Sequence, residues 1–157
     1  MIFDTLHPRS KIWIYINSKA FDIETKKNII SSFLNFQEDW KSHGSNIEGE
    51  IKFLNNHLMV IGAQYKPEAM CGRAVDAQVR FITKINSEFN LDLLNRTNIA
   101  FLESDSIKVY NYNNLQSLMR KNLINKDSLL VNTFSEINSD ETYIPFGSSP
   151  LALRILS

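Results

Sequence analysis

From residue 11 to residue 17 the chain reads KIWIYIN. Ile12, Ile14 and Ile16 alternate there with Trp13 and Tyr15, so both faces of an extended segment are apolar and rich in β-branched or aromatic side chains. This predicts a central strand covered on both sides, or on one side with an aromatic rim. A 3.6-residue period follows Phe21-Asp22: Ile29, Phe33, Phe36 and Trp40 share one stripe, with Ile30 and Leu34 beside it. The stripe predicts an amphipathic helix with Asp22 as N-cap and Gly44, after His43, as a left-handed stop. Residues 47–54 and 57–63 then flank Asn55-Asn56, a pair that tolerates the positive φ of a tight hairpin. After a loop containing Pro67 and Gly72, Val75, Val79, Ile82, Ile85 and Phe89 recur at steps of three and four, predicting a second helix that ends near Asn90. Asn98 to Leu102 returns as a strand.

This β-α-β-β-α-β order predicts an α+β fold, a ferredoxin-like sandwich with both helices on one face of the sheet. The chain is expected to be a single domain over 1–157, with its core in 10–103 and a C-terminal extension in 104–157. In the extension, Ser104-Asp105 turns the chain into a strand over Ile107 to Tyr110. A short helix with Leu115, Leu118 and Met119 and an apolar piece at Leu129 to Val131 follow. Ser135 to Ser157, with Pro145, Gly147 and Pro150, reads as an irregular surface wrap, and the extension as a whole is too short and too weakly patterned to enclose its own core.

Composition narrows the class. A chain of 157 residues with 43% hydrophobic and 22% charged residues is globular, and at this length folding buries about 70% of the surface of the unfolded chain. Lys plus Arg equals Asp plus Glu at 17 each, so no net field draws it to nucleic acid or anionic lipid. Apolar runs fall far short of the roughly 20 residues of a membrane span. The start of the chain lacks a secretory pattern, and Cys71 is the single cysteine; both fit the cytoplasm.

The predicted topology gathers side chains that spacing alone would leave scattered. At one edge of the sheet the first helix ends, the second strand begins, the third ends and the second helix begins. His43, Gly44, Cys71, Gly72, Arg73 and Asp76 are expected there, with His7, Arg9 and Glu103 nearby. Asn17, Asp22 and Arg96 are expected at the other edge. Cys71 near a helix N-terminus and close to His43 has the form of an activated thiol, although a free cysteine also serves as a small buried hydrophobe. His43 is expected to bond the last carbonyls of the first helix, Asp76 to favour the helix dipole and pair with Arg80, and Arg96 to tie down a loop. The amides after Gly72, with Arg73, are suited to a small anion, a phosphate or carboxylate. The three histidines, His7, His43 and His57, are too dispersed for a metal site.

Five features in order carry a family resemblance. They are the aromatic strand at Trp13 and Tyr15, the Trp40-Lys41-Ser42-His43-Gly44 run, the hairpin, the Gly72-to-Asp76 helix start followed by Phe81-Ile82, and Asp92-Leu93-Leu94-Asn95-Arg96. With these the chain resembles a small family of uncharacterised Bacteroidetes proteins that often carry the label ABC transporter ATPase. That label would require G-x-x-x-x-G-K-[ST] between a strand and a helix, and none of the five glycines makes it. Aligning on Gly72 and Asp76 puts Arg73 where the family resemblance implies a cysteine, which argues against a shared cysteine nucleophile. No cofactor or metal is implied.

Two readings follow. One is a small cytosolic binding or protein-interaction domain that uses an open sheet face or edge to meet another copy or a protein partner. The other is a small enzyme or anion-binding protein using the edge with His43, Gly72, Arg73 and Asp76. Nucleic acid is disfavoured: Trp13 and Tyr15 could form a stacking platform, but neither a basic balance nor the aromatic signature of RNA-binding sheets accompanies them.

Overall fold

A computed structural model describes residues 1–65 and 70–156. The loop position expected at Pro67 lies outside them. The elements begin with β1 (Lys11–Ile16), α1 (Ile23–Glu38), β2 (Lys41–Ser42), β3 (Ser45–Asn46), β4 (Glu48–Asn55), β5 (Leu58–Gln64) and α2 (Gly72–Glu88). The second half comprises β6 (Asn98–Glu103), β7 (Ser106–Asn111), α3 (Leu115–Arg120), β8 (Leu129–Val131), β9 (Tyr143–Pro145) and α4 (Pro150–Ile155).

The protein is α+β, with two main antiparallel sheets. One has the order β1-β5-β4 and the other β7-β6-β8-β9. A ferredoxin-like arrangement would hydrogen-bond the strand after α2 to β1. Here β6 pairs instead with β7, from Asn98↔Asn111 to Glu103↔Ser106, and with β8 through Phe101↔Leu130 and Leu102↔Leu129.

Alternation along the strands explains how the layers stack. On β5, Met59, Ile61 and Ala63 point to α1 and α2, where they join Ile29, Phe33, Trp40, Phe81, Ile82 and Ile85 in one core. Val60 points the other way and packs on Ile2, Phe3 and Leu6 of the N-terminal arm. Leu58 and Ile16 meet Ala100, Ile107 and Val131 of the second sheet. Both faces of β1-β5-β4 are therefore covered, and Trp13 and Tyr15 pack on the helix side. Among the described residues neither face of this sheet is left open for stacking or docking. Tyr15 takes a hydrogen bond from Gln78 Nε2 at 2.6 Å, and burial pushes its hydroxyl up to about 12.

Several local expectations change in three dimensions. Asp22 caps α1 as predicted, accepting from the Thr25 amide at 2.6 Å. The helix, however, stops at Glu38 with Asp39 as C-cap. His43 and Gly44 form the tip between β2 and β3 with φ of 52° and 80°, the geometry of a two-residue primed turn. The β4–β5 hairpin forms, but neither Asn55 nor Asn56 has a positive φ; a register shift between Phe53 and Asn55 closes it instead.

The α1 stripe of Ile29, Phe33, Phe36 and Trp40 faces the core as expected, but its flank does not, and the buried face of α2 is rotated from its sequence reading. Ile30 and Leu34 are 39% and 58% exposed, and Val79 is exposed. On α2 the buried face consists of Ala74, Gln78, Phe81, Ile82 and Ile85.

Residues 135–156 are not the irregular wrap that the Pro and Gly content predicts. They supply β9 and α4, the latter capped by Ser149, whose side chain accepts from the Ala152 amide, with Pro150 in the first turn. Phe101, Leu115, Ile124, Leu130, Phe146, Leu151 and Ala152 form a second core on the outer face of the second sheet. Phe101 belongs to β6, so residues on both sides of position 104 build this core together.

Candidate functional site

The end of α1 and the start of α2 converge because Trp40 bridges them. Its ring is buried beside Phe36, and its Nε1 donates to the Ala74 carbonyl at 2.9 Å. One residue beyond Lys41, Ser42 Oγ accepts from the Cys71 amide at 3.1 Å. The expected meeting of the His43 hairpin with the Cys71 helix start is therefore present, though His43 sits on a turn and not at a helix end. His7 lies near this edge as well, its amide donating to Gln64 Oε1 at 2.7 Å at the end of β5.

Cys71 is the N-cap residue of α2 and is partly exposed. The Ser42 hydroxyl, then the backbone N–H groups of His43 and Ala74, favour its thiolate and bring the thiol down to about 7.

The other predicted residues divide. Arg73 and Asp76 are both exposed on α2. The expected Asp76–Arg80 ion pair is not formed; among the described residues the ion pair present is Lys108 with Glu103, at 3.2 Å. Glu103 is engaged there and accepts from the Tyr110 hydroxyl at 2.9 Å, so it serves the β6–β7 hairpin. Gly72 carries no crowding that would demand a glycine: a Cβ there would meet open space.

At the other edge, Asn17 Oδ1 accepts from the Asp92 amide at 2.8 Å. The Asp92 carboxylate takes the Ser18 amide at 2.8 Å and the Ser18 hydroxyl at 2.5 Å. Burial resists ionisation of Asp92, but these donors outweigh it and hold the group below its ordinary range. This ring of bonds ties the loop, a task expected of Arg96, which is exposed and makes no hydrogen bond or ion pair among the described residues.

A groove that the motif reading missed lies between α1 and α2. It encloses about 610 Å³ and is open to solvent. Arg73, Ala77, Arg80 and Lys84 form its α2 wall, steps of four, three and four that keep all of them on one helical stripe. The α1 wall holds Ser32, Asn35 and Asp39, and Lys41 closes one end. Phe36, Trp40 and Phe81 make the floor; the Phe36 and Phe81 rings stack with centroids 4.9 Å apart. Four cations thus face a lining with one carboxylate, Asp39. None of the four is in an ion pair among the described residues. The 73, 77, 80, 84 spacing is visible in the sequence; what conceals the groove is that Phe81 of the same helix makes a floor only together with Phe36 and Trp40, which come from a distant stretch of the chain.

His43, Gly72, Cys71 and Asp76 do not line this groove; Arg73 does. Among the described residues no three His, Cys, Asp or Glu side chains gather at metal-binding distance, and no helix is long and apolar enough to cross a membrane. Comparisons with family models, with curated proteins and with solved structures gave no match for this chain.

Proposed function

We propose that this chain is a binding protein that holds an anionic ligand, a phosphate or carboxylate attached to a flat apolar body, in the groove between α1 and α2. The observation that carries this reading is the stripe of Arg73, Arg80 and Lys84, unpaired among the described residues, beside an aromatic floor. Arginine forks match the oxygens of such anions, and a ring placed on Phe36 gains stacking that a bare ion lacks. The volume falls within the range of small-molecule sites. Kinship with the Bacteroidetes family, on the motifs from Trp13 to Arg96, belongs to the same proposal and carries no ATPase activity with it.

Calorimetric titration with phenyl phosphate, inorganic phosphate and phenol tests the reading. Phenyl phosphate is expected to bind best, with affinity that falls as salt rises. Arg80→Glu should weaken it about tenfold or more, since charge-assisted bonds contribute about 1.5–3 kcal/mol each. Phe36→Ala should abolish the preference over inorganic phosphate. Equal binding of phenol, or indifference to Arg80→Glu, would sink the proposal.

A further inference from the structure

We propose that the outer edge of β4, together with the apolar stripe of α1 beside it, is the interface between two copies of this chain, paired antiparallel about Ile51. β4 is the longest strand, eight residues, and it lies at the end of the order β1-β5-β4, so one of its two edges pairs with no strand among the described residues. The corresponding edge at β1 is occupied: Ile12 donates to the Glu136 carbonyl at 3.0 Å and Lys11 bridges Ile137.

α1 lies over β4. Near the end of the helix, Phe33, Gln37 and Trp40 come down on Gly49, where a Cβ would stand 3.0–3.1 Å from their side chains. Near its start, Lys26 reaches Asn56 at 2.8 Å and lies over the Phe53 ring. At about 100° per residue, Ile23, Ile30 and Leu34 fall on one stripe beyond Gln37, on the side away from the groove and toward the free edge of β4. These three are 74%, 39% and 58% exposed. Apolar residues lined up beside an unpaired backbone edge are what a protein–protein contact requires and what a monomer ordinarily avoids.

The second copy is singled out as the occupant by charge. β4 reads Glu48-Gly49-Glu50-Ile51-Lys52-Phe53. In an antiparallel pair with the two-fold axis at Ile51, Glu50 stands opposite the other copy's Lys52, and Lys52 opposite the other copy's Glu50. Within the chain, Glu50 accepts from Thr5 and Lys52 reaches the Ile2 carbonyl at 3.2 Å, which keeps both on the same face of the strand. Such a contact is isologous and closes as a dimer, and the register shift after Phe53 limits how far it can extend.

Sedimentation velocity across a concentration series tests the proposal. The wild-type chain is expected to show a monomer–dimer equilibrium. Glu50→Lys and Lys52→Glu should each weaken it about tenfold, because like charges then face each other twice across the axis. The double variant E50K/K52E restores the opposite pairs and should regain the wild-type dissociation constant. Ile30→Glu and Leu34→Glu should give monomers whose circular dichroism matches the wild type, whose melting matches that of the wild type diluted to its monomer, and whose phenyl phosphate binding is unaltered, since the groove lies on the other side of α1. A monomer at every concentration, including one that takes up a foreign strand, overturns the proposal. So does a dimer indifferent to Ile30→Glu and to the single charge reversals.

Discussion

The sheet β1-β5-β4 is covered by α1 and α2, of 16 and 17 residues, whereas the sheet β7-β6-β8-β9 is covered by α3 and α4, of six residues each. A long amphipathic helix brings several core side chains on one element and needs few partners to hold its place. A six-residue helix contributes little by itself, because nucleating a helix costs more than so few bonds return. The second region therefore depends on closure by distant segments: Phe101, Leu115, Ile124 and Phe146 come from four separate stretches. Periodicity along the chain makes the first kind of region conspicuous and the second kind nearly invisible, although both end with side chains equally buried.

The strongest way to break this comparison is to hollow out each core in turn. Phe33→Ala and Phe146→Ala remove rings that are 1% and 0% exposed, and both are expected to cost about 3–5 kcal/mol in urea unfolding. A loss below about 1 kcal/mol for Phe146→Ala would mean that the second cluster is not a core in the same sense.

A smaller effect is expected at the seam. Asn138 is fully buried. It accepts from the Phe3 amide at 2.9 Å and donates to the Phe3 and Leu6 carbonyls at 2.7 and 3.3 Å. Asn138→Ala leaves these backbone groups unpaired and should cost about 2–3 kcal/mol. Hydrogen exchange should show the loss in the amide of Phe3; unchanged protection there would place the seam elsewhere.

The smallest effect is local to the first region. Alkylation of Cys71 by iodoacetamide should rise with pH about a midpoint near 7, because the thiolate is the nucleophile. Ser42→Ala removes the largest favourable contribution, so the midpoint should move upward toward the ordinary thiol value. A midpoint that stays in place, or moves down, contradicts the assignment to Ser42.

Much of the first region was legible because its signals are local. Asp22 needed only its own side chain and the amide three residues on. Asn90 at φ 53° ends α2 within its own turn. Gly44 takes the left-handed backbone that its position predicts, but whether a left-handed residue stops a helix or turns a hairpin depends on where Trp40 is anchored, and that is decided by Ala74. The Ser149-Pro150 start of α4 carried a legible cap signal that was outweighed by the Pro and Gly content around it. For the candidate site, the sequence sets Arg73 beside the amides after Gly72, whereas the fold places it in the groove wall.

The β-α-β-β-α-β order that the hydrophobic pattern predicts is present as a succession of elements, because the spacing of apolar residues sets which segments can be amphipathic helices or strands. Which strands become neighbours was decided only in three dimensions. β6 can bury one face on the first sheet and the other under Phe146 and Leu151, and its pairing with β7 and β8 satisfies its backbone while doing so. The same holds for function: the cations of α2 lie on a stripe written in the sequence, and they face a groove because α1 brings Phe36 and Trp40 alongside.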